Sequence, residues 1–164
     1  MSDSPEPADN SDEPTISEYP ELTNVDDWST HPDFTLQLMA NFANRARAGL
    51  GLTLVLSGTV MSGVVVSVED FYQWGSDRQT EDIDGSDDSQ QKVRAMFAEA
   101  FFDTQVAEHR RARETGEITD PQRTRHIHLK DAKVFTPGQV HGIELGWTRV
   151  LLAHVNAWTV GTLN

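Results

Sequence analysis

Apolar and polar residues change period along this chain in a way that divides it into blocks. Phe34, Leu38, Met39, Phe42 and Ala46 recur at three- and four-residue steps. That spacing predicts an amphipathic helix with the stripe turned to the core. Thr30 is placed to cap it, Pro32 and Asp33 suit its first turn, and Gly49 follows Arg45 and Arg47 at its end. The pattern then shifts to period two. Leu52, Leu54 and Leu56 alternate with Thr53, Val55 and Ser57, so this segment reads as a strand. Ser57-Gly58 marks a tight turn, and Val60 to Val68 forms a second strand, with Gly63 inside it as a bend or a close backbone approach. Phe71, Tyr72 and Trp74 read as an aromatic patch ending that strand or starting a short turn.

Residues 75–89 carry six acids against one arginine and read as a mobile loop. Helical periodicity resumes over about 90–115. Val93, Met96, Phe97, Ala100 and Phe101 share a face, and Gly116 is the stop. Asp87 and Asp88 at its start, and Arg110, Arg111 and Arg113 at its end, complement the helix dipole. The last third returns to strand patterning: HIHLKDAKVF over 126–135, a Pro137-Gly138 turn, a strand from Gly146 to Val155, a corner near Asn156 and a short final strand.

Charge sharpens this picture. The 164 residues carry a net charge of −13, with ten acids and no Lys or Arg in residues 1–33, so the body accounts for only about −3. An acidic segment so poor in apolar residues cannot offset the entropy of ordering, so residues 1–29 are expected to be a disordered tail and 30–164 one domain. Nucleic acid is not an expected partner, because phosphate binding needs clustered cations. The absence of cysteine removes disulfides and thiolate metal sites, and no stretch has the length of a membrane span. A soluble cytoplasmic protein is expected.

The catalytic inventory is thin. His126 and His128 flank Ile127 on one strand face and are weak candidates for two metal ligands, with His109, Glu108, His141 or His154 needed as a third. Surface or hydrogen-bonded histidines are the simpler reading. Glu69 and Asp70 are adjacent and would point apart on a strand, and there is no nucleophile elbow and no phosphate loop. Neither an enzyme nor a bound cofactor is expected. Candidate partner-binding residues are Trp74, Trp147 and Trp158, by hydrophobic contact, and Arg110, Arg111 and Arg113, which could meet the acidic tail of another copy.

Two resemblances meet on these segments. The order helix, bent hairpin, further strands and corner resembles the Sm-like small barrel, with LSGTVMSGVVVSVEDFYQ similar to its first motif and LLAHVNAWTVG to its second. The strand pair SGTVMSGVVVSVEDFYQW, HIHLKDAKVF and WTRVLLAHVNAW resemble the gas vesicle accessory protein U family over about 34–163. Together they imply an α+β protein: a small, strongly bent antiparallel β-barrel with an N-terminal helix and an inserted acidic loop and helix at about 75–116. They also imply a non-catalytic accessory protein that binds or clusters gas vesicles or their assembly proteins, and a homo-oligomer. The alternative they leave open is an Sm-like RNA-binding or ring-forming module.

Overall fold

The computed structural model describes residues 32–81, 87–117, 121–139 and 141–163. The expected acidic tail and its Thr30 cap lie outside those residues, as does the centre of the acidic loop. The elements are α1 (Phe34–Ala46), β1 (Gly51–Leu56), β2 (Thr59–Val66), α2 (Val68–Thr80), α3 (Asp88–Ala98), a π-helical turn (Glu99–Asp103), α4 (Thr104–Thr115), β3 (His126–Phe135), β4 (Ile143–Leu151) and β5 (Val155–Val160). Short 3-10 turns at Pro121–Arg123 and Leu152–His154 lead into β3 and β5.

The strands form one antiparallel sheet in the order β4-β3-β2-β1-β5. The α+β class is as expected, but the sheet is open. Among the described residues β4 and β5 are its two edges and no ladder joins them, so the sheet is not closed into the barrel implied by the resemblance. The expected glycine devices are present. Ser57-Gly58 turns β1 into β2, with Gly58 at φ 83°. At Gly63 a Cβ would lie 3.0 Å from the Lys130 carbonyl oxygen and 3.1 Å from the Ala132 Cα. That close approach coincides with register shifts in both the β2–β3 and β3–β4 ladders, where Asp131 takes φ 51°. Bulges at one place on successive strands are what bend a sheet sharply.

Leu52, Leu54, Met61, Val65, Ile127, Leu129 and Val150 meet Leu36, Ala40 and Ala43 of α1 in the core. This turns most of the expected helix stripe outward, and of its members Met39 still packs against the core. Phe34, Leu38 and Phe42 are exposed, whereas Leu36, Gln37, Ala40, Asn41 and Ala43 are buried. Periodicity finds a stripe but cannot say which of two stripes faces inward. Small alanines let the helix backbone approach the strands, and two amides of the helix are used: buried Gln37 Nε2 donates to the Thr124 carbonyl at 3.0 Å, and half-buried Asn44 Oδ1 accepts from Val68 N–H at 2.9 Å.

The helix ends differ too. Asp33 caps α1, its Oδ1 accepting from Leu36 N–H at 3.0 Å, and Arg47 closes it in the left-handed region at φ 49°. Gly49 serves a different purpose, because a Cβ there would lie 2.6 Å from the Val65 carbonyl oxygen. The aromatic patch after β2 is neither a strand end nor a short turn. It lies in α2, a 13-residue helix that runs on into what reads as the acidic loop. Ser67 Oγ accepts from Asp70 N–H at 3.0 Å and donates to Asp70 Oδ2 at 2.6 Å, a side-chain cap that starts the helix.

The expected helix at 90–115 is present as α3 and α4, continuous through the π turn. Gly116 ends it at φ 68°. The final corner falls earlier than Asn156, at Leu152–His154.

Candidate functional site

The segment inserted between β2 and β3 carries the most charged part of the molecule. Glu69, in the first turn of α2, is only 3% exposed. Its Oε1 accepts from Arg110 Nε at 3.1 Å and its Oε2 from Arg113 Nε at 3.0 Å, with Arg47 3.9 Å away. Burial pushes this carboxyl up, but hydrogen bonds from Arg113 and Arg110 and the charges of Arg113 and Arg47 outweigh it and hold the group below its ordinary range. Asp70 beside it bonds Arg47 and Ser67, and these partners likewise outweigh its burial and hold it low. Two of the three candidate partner-binding arginines thus have a carboxylate partner within the chain, and Arg111 is exposed.

Above Glu69 lies a cavity of about 240 Å³, lined by side chains of α1, α2, α4, β3 and β4. Five arginines line it (Arg45, Arg113, Arg123, Arg125 and Arg149) against two acids, Glu69 and Glu117. Arg149 is held in place: one terminal nitrogen donates to the Tyr72 hydroxyl at 3.1 Å, and the other lies 3.0 Å from His126 Nδ1. A guanidinium can only donate, so His126 Nδ1 accepts and its ring proton sits on Nε2. Tyr72 stacks on His109, with centroids 6.1 Å apart and planes 8° apart.

His128 forms the floor. It is 5% exposed, packs 4.6 Å from the Phe71 ring, and its Nε2 is buried with no hydrogen-bond partner. Burial, then the charge of Arg149 and the neighbouring His126 and His109, pushes its pKa down to about 3. His109 and His126 are lowered as well, in both cases mainly by burial, with Arg149 adding to the effect.

Of the metal candidates, His126 and His128 do share a strand face, and His109 comes near them. Among the described residues, however, no three His, Asp or Glu groups are placed to hold an ion, and His126 gives its Nδ1 to Arg149. A guanidinium in the middle of a histidine cluster is the wrong charge for a cation site.

The tryptophans separate into two groups. Trp74 of α2 and Trp147 of β4 stack on one another at 5.5 Å and 9°, with Trp74 exposed. Trp158 packs on the core. The cation cluster was missed from sequence because its members come from four separated places, and the 3-10 turn that brings in Arg123 leaves no periodic signal. The S-x-x-D signature of Ser67 and Asp70 could have revealed α2 and with it the position of Glu69.

A second feature is apolar. Val93 and Met96 of α3 are 64% and 69% exposed, and Phe101 in the π turn is 59% exposed. Phe97 packs beside Phe101, with ring centroids 4.6 Å apart and planes tilted by 40°. This is the face expected from helical periodicity, and it is turned outward. Phe102 on the other side of the π turn anchors the helix to α2 at Gly75, where a Cβ would lie 2.6 Å from its ring. Among the described residues, no helix is long and apolar enough to cross a membrane.

A family model described as Gas vesicle protein GvpU-like matches residues 33–163. No curated protein and no solved structure matches the chain.

Proposed function

The chain belongs to the GvpU-like family of gas vesicle proteins, and on that premise we propose that it is a non-catalytic accessory protein that binds gas vesicles or their assembly proteins and clusters them by self-association. The observation that carries this reading is the outward apolar face of Val93, Met96, Phe97 and Phe101. A contiguous exposed apolar patch on a strongly charged chain marks an interaction surface. The stacked Trp74–Trp147 pair and the exposed Arg111 are further contact candidates. Self-association has a structural route in the free edges β4 and β5, which expose unpaired backbone groups to a second copy. Two different edges pairing head-to-tail would produce rings or open chains of subunits. Its place in the cell is the cytoplasm, at the vesicles.

The test is flotation with intact gas vesicles. The wild-type protein is expected in the buoyant layer together with clustered vesicles. Met96→Ser/Phe101→Ser removes two exposed side chains without touching the core, and is expected to leave the protein folded but in the lower phase. Equal flotation of the folded variant would exclude this face, and no flotation of the wild-type protein would overturn direct vesicle binding. An RNA-binding role would show instead as nucleic acid co-purifying with the protein.

A further inference from the structure

We propose that the arginine-lined cavity between α1, α2, α4 and the start of β3 is a binding site for a small oxyanion, a phosphate or carboxylate group carried by a soluble molecule. This goes beyond the vesicle role and does not depend on it. Three observations converge.

The first is unbalanced charge. Glu69 is consumed by Arg110 and Arg113 beneath the cavity, so the arginines around its rim face only Glu117. Among the described residues no carboxylate pairs with Arg45, Arg123 or Arg125. Exposed arginines scattered over a surface would mean little, but these come from α1, the 3-10 turn and the entry to β3 and converge on one concavity.

The second is preorganisation. Arg149 is fixed by Tyr72 and His126, leaving its guanidinium immobilised at the wall. A guanidinium held in place loses little entropy on binding and presents donors in the fork that matches carboxylate and phosphate oxygens.

The third is His128. It lines the cavity, is nine-tenths buried, and its Nε2 has no partner. A buried nitrogen left without a partner is costly and needs a reason. That nitrogen is closed to solvent in this structure, so a small shift of the ring at the cavity wall would bring the N–H of a neutral imidazole onto a bound oxyanion. The cavity volume of about 240 Å³ suits a compact anion rather than a large cofactor.

The experiment is a titration of the full chain with inorganic phosphate and, separately, with acetate, followed by calorimetry and amide NMR at constant ionic strength. Saturable binding is expected below about 10 mM, with shifts at Arg125, His128 and Arg149. Whichever anion binds more tightly identifies the class. The Arg123→Ala/Arg125→Ala variant removes two exposed guanidiniums with no carboxylate partner among the described residues, so the fold is expected to persist. Its affinity is expected to fall about tenfold or more. His128→Phe keeps the ring and deletes the orphan nitrogen, and is expected to weaken binding several-fold. The proposal is overturned if neither anion saturates, or if the variants bind as the wild type does. It is also overturned if a single-stranded oligonucleotide, but neither small anion, binds in a way that the double variant abolishes.

Discussion

Replacing Glu69 by glutamine tests how the inserted helices are attached to the sheet. The amide has nearly the shape of the carboxylate, so packing is preserved while the charge is lost. Glu69 takes one charge-assisted hydrogen bond on each oxygen, from Arg110 and from Arg113. In Glu69→Gln one oxygen still accepts, now as a neutral group, and the amide nitrogen faces a donor. Hydrogen bonds to charged groups contribute about 1.5–3 kcal/mol each. The arginine side chains are 49% and 30% exposed, so water compensates part of the loss. The expected cost is about 2 kcal/mol, which in a unit of this size lowers Tm by about 6–10 °C.

The pH dependence separates charge from packing. The folded carboxyl is held below its ordinary value of 4.5. Its contribution is therefore complete above pH 4.5 and is lost as the pH falls through the lowered folded value. The Tm gap between wild type and variant should be constant from neutral pH to about 4.5 and narrow below that. Calorimetric scans from pH 7 to 3 read both quantities. A gap under about 2 °C at pH 7, or one that does not narrow in acid, would refute the view that this carboxylate holds α4 to α2.

His128 is expected to stay neutral well into acid. With a folded pKa near 3 against an ordinary 6.5, the unfolded chain takes up a proton that the folded chain does not, so stability falls as the pH drops below 6.5, by about 2 kcal/mol at pH 5. An NMR titration of its ring that shows a midpoint above 5 would contradict this, and His128→Phe should remove the corresponding part of the acid slope. Gly75→Ala places a methyl group 2.6 Å from a Phe102 ring atom, and should displace the ring and cost about 1–3 kcal/mol in chemical denaturation. An unchanged midpoint would show that Phe102 is not locked against α2.

Much of the sheet was legible because strand periodicity and turn glycines are local signals. Leu52, Leu54, Gly58 and Gly63 each meant in the sequence what they mean in the fold. The α1 face was not legible, because Phe34-Leu38-Phe42 is the more hydrophobic stripe and Leu36-Ala40-Ala43 the better fitting one. Fit is a property of the strands opposite, not of the helix. The run after β2 misread for a related reason: Gly75 reads as the start of the acidic loop until Phe102, 27 positions later, is seen to need the space. The site was least legible of all. Glu69 looked idle beside Asp70, since its partners Arg110 and Arg113 lie more than 40 residues downstream.

The inserted helices explain why a charged cavity and an apolar patch lie on the same segment. Helix α3 buries only Ala98 and α4 only Val106, so hydrophobic packing alone holds this rod weakly. What fixes it is polar and specific: the arginine pair on Glu69, Ser76 on Asp103 at 2.5 Å, and the Phe102 ring against Gly75. Because the rod is held through these few contacts, its apolar side is left free to face outward. The same contacts set α4 across the cavity from β3 and β4, so that its side chains complete the lining around Arg149 and His128. An anion seated there would add contacts across α4 and the sheet at the point where the rod is least secured by packing. Occupancy of the cavity would therefore stiffen the element that carries the exposed Met96 and Phe101, and a weakened Glu69 anchor should loosen both features together.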